Sequence, residues 1–332
     1  MVAVSLPVTT LGATGLPVTR IGLGLAALGR PAYITLGRDR DLGADRDVDA
    51  MRRRSHQVLD AAYGAGVRYF DVARSYGRAE EFLASWLHER GVAPDAVTVG
   101  SKWGYRYTGE WRLDAPVQEV KDHSLDTFRR QEGETLALLG TYLRLYQVHS
   151  ATLDSGILDD EGVLRALVDM SRGGVAVGLT VSGPGQSDTI RRALRVDVDG
   201  TNPFTSVQAT WNVLEPSAGA ALEEAHAAGW GVLVKEALAN GRLVTPPDVT
   251  FAGKLTELAS THGAGTDQVA LAAALVQPWA DVVLSGAVTE AQLLSNLAAL
   301  SISLTESEMA SLGTLAEAPE AYWRHRSSLE WR

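Results

Sequence analysis

The chain contains no cysteine among its 332 residues. Disulfide bonds, thiolate metal sites and cysteine nucleophiles are therefore excluded from any account of its function. Basic residues are fewer than acidic ones, 30 against 40, which gives a formal net charge of −10. Because nucleic acids and anionic membrane surfaces both select basic proteins, we expect neither as a partner.

No apolar stretch approaches the length that a membrane-crossing helix needs. The first residues also lack the basic segment and apolar core of a secretory signal, so we expect a cytoplasmic protein. A composition that is 45% hydrophobic and 21% charged is typical of a globular chain. Because no linker or change in composition interrupts it, we expect residues 1–332 to form one domain.

Short apolar segments alternate with longer amphipathic ones, a pattern typical of parallel strands joined by helices. Before them, the runs Ala3–Pro7 and Leu16–Thr19 flank Gly12 and Gly15 and predict a β-hairpin. We predict the sheet strands at Ile21–Gly24, Tyr69–Asp71, Val97–Lys102, Leu145–His149, Val175–Ser182, Ser206–Thr210, Val232–Lys235 and Val282–Ser285. An open doubly wound sheet also fits this alternation. The number of strand–helix units favours a closed (β/α)8 TIM barrel of the α/β class.

Two long loops follow predicted strands, at residues 29–49 and 103–124. We expect both on the carboxyl-terminal face, where barrel enzymes build their active sites. The second loop carries Trp103, Tyr105 and Trp111, which predict an aromatic wall around a substrate.

Polar residues end most of the predicted strands: Asp71, Lys102, His149, Ser182, Gln208, Lys235 and Ser285. The strand ends of a parallel barrel meet at one rim, so these side chains should surround one cavity. A single polar residue there marks only the exit of a strand from the core. An aspartate, a lysine and a histidine on three consecutive strands instead predict a functional cluster, because buried charges need partners.

The composition of this cluster favours proton transfer. One histidine beside a lysine ammonium makes a poor metal site, because the ammonium repels a cation, and we expect no metal. Tyr76 follows Asp71 on the loop that leaves the second strand. A phenol titrates near pH 10, but the Lys102 ammonium should lower the pKa of Tyr76 and allow it to donate a proton near neutrality.

At this point the sequence resembles the aldo-keto reductase superfamily. Three segments carry the resemblance: Phe70–Gly77, Gly100–Trp103 and Leu145–His149. They match the family's Asp, Tyr, Lys and His tetrad in identity, order and spacing, at Asp71, Tyr76, Lys102 and His149. The resemblance covers almost the whole chain, from Leu11 in the predicted hairpin to Asn296 in the last barrel helix.

The family implies reduction of an aldehyde or ketone to an alcohol, or the reverse reaction, with hydride carried by a nicotinamide cofactor. In this scheme Tyr76 is the proton donor and Lys102, paired with Asp71, tunes it. His149 orients the carbonyl oxygen. The implied partner is a small carbonyl or alcohol substrate.

Cofactor contacts carry over from the family residue by residue. Ser182 and Gln208 match its contacts to the nicotinamide carboxamide, although Gly183 replaces an asparagine. Trp211 stands where an aromatic ring stacks on the nicotinamide. The segments that hold the pyrophosphate and the adenosine phosphate contribute Leu238, Gly286, Thr289, Gln292 and Asn296.

The family implies NADP(H), with NAD(H) as the alternative. Thr289 and Gln292 stand where relatives place cations against the 2′-phosphate, and Glu290 adds a negative charge. A helix N-terminus and the Thr289 hydroxyl would then hold the phosphate instead.

Two other functions remain open at this stage. The barrel could bind the cofactor and serve as a regulatory subunit with little turnover, as some relatives do. It could also be an unrelated phosphate-binding isomerase, but that reading leaves the pairing of Tyr76 with Lys102 unexplained.

Overall fold

A computed structural model describes residues 6–244 and 249–332, with the backbone alone for residues 249–252. The strands lie, in chain order, at Val8–Thr10 (β1), Pro17–Thr19 (β2), Ile21–Gly24 (β3), Tyr69–Asp71 (β4), Thr98–Trp103 (β5), Tyr105–Tyr107 (β6), Glu119–Lys121 (β7), Leu143–Ala151 (β8), Ala176–Val181 (β9), Ser206–Thr210 (β10), Gly231–Lys235 (β11) and Val282–Ser285 (β12).

Eight of these strands form a closed parallel barrel in the order β3-β4-β5-β8-β9-β10-β11-β12. The last strand returns to the first, with Val283 paired with Ile21, and closes the ring. The predicted (β/α)8 TIM barrel is therefore confirmed. The strands are buried along most of their length, as expected when the interior and the surrounding helices each cover one face.

Helices follow the strands and cover the outside of the barrel. They lie at Arg38–Leu42 (α1), Val48–Gly64 (α2), Ala79–Glu89 (α3), Leu125–Leu139 (α4), Glu161–Arg172 (α5), Gln186–Leu194 (α6), Gly219–Ala227 (α7), Val249–Thr261 (α8), Thr266–Leu275 (α9), Glu290–Ala298 (α10), Glu306–Gly313 (α11) and Pro319–Ser327 (α12). Local signals define several starts. Asp47 accepts the Ala50 amide at 2.7 Å at the start of α2, and Ser124 and Asp160 cap α4 and α5.

An N-terminal hairpin covers the end of the barrel at which the strands begin. Its first strand is Val8–Thr10 and not the predicted Ala3–Pro7, of which residues 3–5 lie outside the described part of the chain. Leu11, Leu16 and Val18 are buried against apolar side chains from the barrel strands. The hairpin thus covers the amino-terminal end of the barrel and leaves the opposite rim accessible.

Three segments enclose that rim. The loop after β3 contains the short helix α1. The loop after β5 contains β6 and β7, an antiparallel pair that we did not predict. The C-terminal segment crosses back, where Tyr33 and Arg332 exchange two backbone hydrogen bonds of 2.9 and 3.2 Å.

Candidate active site

Two cavities meet at the rim formed by the carboxyl ends of the strands. The larger has a volume of about 280 Å³ and extends from Asp71 at the barrel mouth to Asn296 in α10. The smaller has a volume of about 150 Å³ and reaches His149 and the C-terminal segment. Tyr76 lines both, so its side chain lies at their junction.

Asp71 and Lys102 form a buried ion pair at the ends of β4 and β5. The ammonium of Lys102 contacts Oδ1 of Asp71 and donates a 3.0 Å hydrogen bond to the Val72 carbonyl. The other oxygen of Asp71 accepts from the Tyr69 hydroxyl at 3.1 Å and from the Gln208 amide at 3.0 Å. Burial lowers the pKa of Lys102, and the charge of Asp71 opposes that shift.

Tyr76 lies beside this ion pair, with its ring centroid 4.8 Å from the Lys102 ammonium nitrogen. We expected that ammonium to lower the pKa of Tyr76. In the structure, burial and then the charge of Asp71 raise the pKa of Tyr76 well above its ordinary value. The expected lowering is absent because burial disfavours the charged phenolate, and the negative charge of Asp71, which contacts Lys102, adds to that effect.

His149 completes the cluster at the other side of Tyr76, with the two rings edge-on and their centroids 5.5 Å apart. Burial, followed by the charges of Lys102 and Lys235, lowers the pKa of His149 well below its ordinary value. The ring is therefore neutral at physiological pH. The Ser75 hydroxyl lies 3.3 Å from its Nδ1.

Five of the predicted cofactor residues line the larger cavity: Gln208, Leu238, Gly286, Gln292 and Asn296. Thr289 caps α10 by accepting the Gln292 amide at 3.2 Å. Asn296 donates a 2.8 Å hydrogen bond to Ser285, which fixes its side chain against the strand end.

The structure does not place Ser182 or Trp211 on either cavity. Gln208 and Thr210 on β10 point into the barrel, where they bond Asp71 and Glu236. Trp211 follows the last residue of β10 and is buried. Its ring packs edge-on against that of Trp279, with the centroids 5.7 Å apart, and its stacking on a nicotinamide stays a prediction.

The three residues of the predicted aromatic substrate wall lie in different surroundings. Trp103 is fully buried, 4.9 Å from the ring of Phe128. Trp111 packs edge-on against Phe82 and donates to the Arg46 carbonyl at 2.8 Å. Only Tyr105 lies close to the cluster, with its ring 5.0 Å from that of His149.

The smaller cavity is also lined by Tyr33, Ile34, Leu329 and Trp331, and by five charged residues whose role sequence reasoning missed. They come from four separate segments: Arg30, Glu119, Lys235, Glu236 and Arg326. The position of Lys235 at the end of an apolar strand was a usable signal. The others lie in two loops, at the start of β7 and in α12, and no local pattern brings them together.

Within the described ranges, no helix is long and apolar enough to cross a bilayer. The same residues contain no group of three or more histidine, cysteine or acidic side chains arranged to hold a metal ion.

Comparison with known proteins adds an independent finding. A sequence model of the "Aldo/keto reductase family" matches residues 20–317. An aldo-keto reductase of Strobilurus tenacellus is 26% identical over 294 residues, which cover 80% of this chain and 81% of that one. A pyridoxal 4-dehydrogenase of Microbacterium luteolum is 31% identical over 150 residues, only 39% of each protein.

Among solved structures, the holo form of an aldo-keto reductase from Bacillus halodurans superposes with a TM-score of 0.70 at 22% identity. The match covers 94% of this chain and 97% of that one. At this level of identity the likeness concerns the fold.

Proposed function

Because the chain belongs to the aldo/keto reductase family, we propose that it interconverts a small aldehyde or ketone and the corresponding alcohol, using NAD(P)(H), with Tyr76 as proton donor. The observation that carries the proposal is the position of Tyr76. It lies between the two cavities, beside the Asp71–Lys102 ion pair and the ring of His149.

The larger cavity has features that suit a nicotinamide dinucleotide. A Cβ at Gly286 would meet no protein atom within 4 Å, so the cofactor can approach the backbone there. Helix α10 begins at Glu290, shortly after this glycine, and helix N-termini favour phosphate groups. The nicotinamide, when bound, supplies or accepts the hydride.

Tyr76 acts as a neutral general acid in this scheme. Its raised pKa keeps the phenol protonated until a stronger base develops beside it. The oxygen of a carbonyl that has accepted hydride is an alkoxide, a much stronger base than phenolate. Proton transfer from Tyr76 to that oxygen is therefore favourable despite the raised pKa.

His149 is suited to hold the same oxygen. When the Ser75 hydroxyl donates to Nδ1, the proton of the neutral ring is on Nε2. That N–H can donate a hydrogen bond to the carbonyl oxygen and fix its position against Tyr76.

For the choice of cofactor, the structure supports the alternative, NAD(H), over NADP(H). The side chain of Gln292 already has hydrogen-bond partners within the protein. It accepts from the Val288 amide at 2.9 Å and donates to Asp41 at 2.7 Å. Asp41 lines the larger cavity beside it. A carboxylate there repels a 2′-phosphate but accepts a hydrogen bond from a ribose hydroxyl.

The test is oxidation of NADH and NADPH, followed by absorbance, across a chemically broad panel of aldehydes and ketones. We expect turnover with formation of the matching alcohol, one per cofactor oxidised. Cofactor binding without turnover of any carbonyl would instead support the regulatory-subunit function.

A further inference from the structure

The smaller cavity has a polar and ordered wall. Arg30 donates to Glu119 at 2.9 Å and to the Ser75 carbonyl at 3.1 Å. Arg326 from α12 donates to Glu236 through its Nε at 2.9 and 3.0 Å. These two ion pairs join segments that are far apart in the chain and hold four charged side chains against one small space.

Glu236 combines an uncommon backbone conformation with a strongly lowered side-chain pKa. Its backbone has a φ of 56°, in the left-handed region that non-glycine residues rarely adopt. Burial opposes its ionisation, but Arg326 and Lys235 lower the pKa of Glu236 to about 2. Ser150, which also lines this cavity, has a φ of 51°. Two residues in this uncommon conformation thus lie on one wall, as residues at functional sites often do.

Lys235 is the cation of this wall that has no carboxylate of its own. Within the described residues its ammonium donates one hydrogen bond, 2.9 Å to Thr210, whose hydroxyl in turn donates to Glu236 at 3.1 Å. An ammonium has three donors, so two remain for a ligand. Lys235 lines both cavities, as Tyr76 does, and therefore faces the place where they join.

The charged residues that line the smaller cavity favour some classes of ligand over others. An apolar ligand would leave the two remaining donors of the Lys235 ammonium without partners, which is costly. An anion would meet Glu119 and Glu236, and each arginine is already paired with one of them. A hydroxyl group both donates and accepts, so it can satisfy a carboxylate and a cation together.

The size of the space limits the ligand as well. An engineered cavity of about 150 Å³ in another protein holds one benzene molecule. The smaller cavity has this volume, which suits a ligand of about one six-membered ring.

We propose that the smaller cavity binds a small, neutral, polyhydroxylated carbonyl compound or its alcohol, and that Lys235 positions it through a hydroxyl beside the reacting carbon. The inference rests on the proposed function. In the reductive direction the carbonyl carbon gains a hydride from NAD(P)H, and its oxygen gains the Tyr76 proton. NAD(P)⁺ and the alcohol are formed, and Tyr76 regains its proton from water.

The first test compares glyceraldehyde with propanal, which has the same three-carbon chain without hydroxyls. We expect kcat/KM to be at least about 100-fold higher for glyceraldehyde, because sites that bind a hydroxyl strongly reject analogues that lack it. Equal values, or a preference for propanal or for the anion glyoxylate, would overturn the inference.

The second test changes Lys235. Lys235→Met should lower kcat/KM for glyceraldehyde by about 10- to 100-fold, the value of a hydrogen bond to a charged group, and lower that for propanal by a clearly smaller factor. Lys235→Arg should recover part of the loss. Lys254→Met, which changes a lysine outside both cavities, is the matched control and should leave both substrates unchanged. An equal loss for both substrates would contradict a positioning role.

A binding measurement separates this inference from the proposed function. Calorimetric titration of cofactor-loaded Tyr76→Phe should detect D-xylose but not cyclohexanol or glucuronate, and Lys235→Met should weaken the xylose signal. Selective binding without turnover in the wild type would contradict the proposed function alone. Turnover of propanal without binding of xylose would overturn this inference alone, and absence of both would overturn both.

Discussion

Two lysines at the ends of strands in the same barrel differ in the carboxylate beside them. Lys102 on β5 contacts Asp71 directly, whereas Lys235 on β11 bonds a threonine hydroxyl and shares Glu236 with Arg326. Burial lowers the pKa of both. A lysine with its own carboxylate holds a fixed arrangement of charge, whereas one without it keeps donors for a ligand. This predicts that Lys102 supports Tyr76 in every reaction and that Lys235 matters most for hydroxylated substrates.

The largest effect is expected at Tyr76, the residue that Lys102 adjoins. Tyr76→Phe removes the proton donor and retains the ring, so turnover should fall by about 10²- to 10⁴-fold for every carbonyl substrate. Cofactor affinity, measured by quenching of tryptophan fluorescence, should stay within about twofold of the wild type if only the proton donor is lost. Near-wild-type turnover in a folded variant would contradict the role of Tyr76.

Lys102→Met should be the most damaging change to the first lysine. It leaves the buried Asp71 without a counter-charge, and loss of one partner of a buried pair costs about 3–5 kcal/mol of unfolding free energy. Urea unfolding measures this loss. Turnover should fall for hydroxylated and plain aldehydes alike, in contrast with Lys235→Met.

The double variant Asp71→Asn with Lys102→Met is the control for that experiment. It removes both charges, so most of the stability should return while turnover remains low. Recovery of turnover along with stability would show that Lys102 serves the fold only.

The pH dependence should separate the two lysines further. Burial lowers the pKa of Lys235 to about 8, with Glu236 opposing the shift and Arg326 adding to it. For glyceraldehyde, kcat/KM should therefore fall as pH rises through about 8 and the ammonium loses its proton. For propanal the fall should be smaller, since the pKa values of Tyr76 and His149 lie well outside this range and the Asp71 carboxylate opposes loss of the Lys102 proton.

Unfolding does not explain such a loss. The pKa of Lys235 is lower in the folded than in the unfolded protein, so the unfolded state binds more protons between the two values. The contribution of Lys235 to stability therefore rises with pH from about 8 to about 10.4. A parallel decline for both aldehydes above pH 8 would contradict the role of Lys235.

The sequence best predicted the placement of residues whose orientation follows from their position on a strand. Asp71, Lys102 and Gln208 end strands or face the barrel interior, and alternation along a strand determines where such side chains point. The charged residues of the smaller cavity could not be predicted in this way. Arg326 and Glu236 are 90 residues apart and meet only when the C-terminal segment folds back.

Two arginines of the loop after β3 show a similar contrast, between a side chain bonded within the protein and one that is available to a ligand. Arg38 is buried and donates to the Pro31 carbonyl at 2.8 Å and to the Arg30 carbonyl at 2.6 Å, so it serves the fold. Arg40 is exposed and lines the larger cavity beside Asp41. The opposite charges of Arg40 and Asp41 should therefore determine how strongly the 2′-phosphate of NADP(H) is bound.

The smallest effects are expected at this pair. Asp41→Asn should tighten NADPH binding by about fivefold and leave NADH nearly unchanged, because it removes repulsion of about 1 kcal/mol between solvated charges. Arg40→Gln should weaken NADPH binding by a similar factor. Fluorescence titration of both variants with both reduced cofactors, in one buffer, measures these changes. A loss of several orders of magnitude for NADPH in Arg40→Gln would show that Arg40 clamps the phosphate, and it would overturn the preference for NAD(H) that we infer from Asp41.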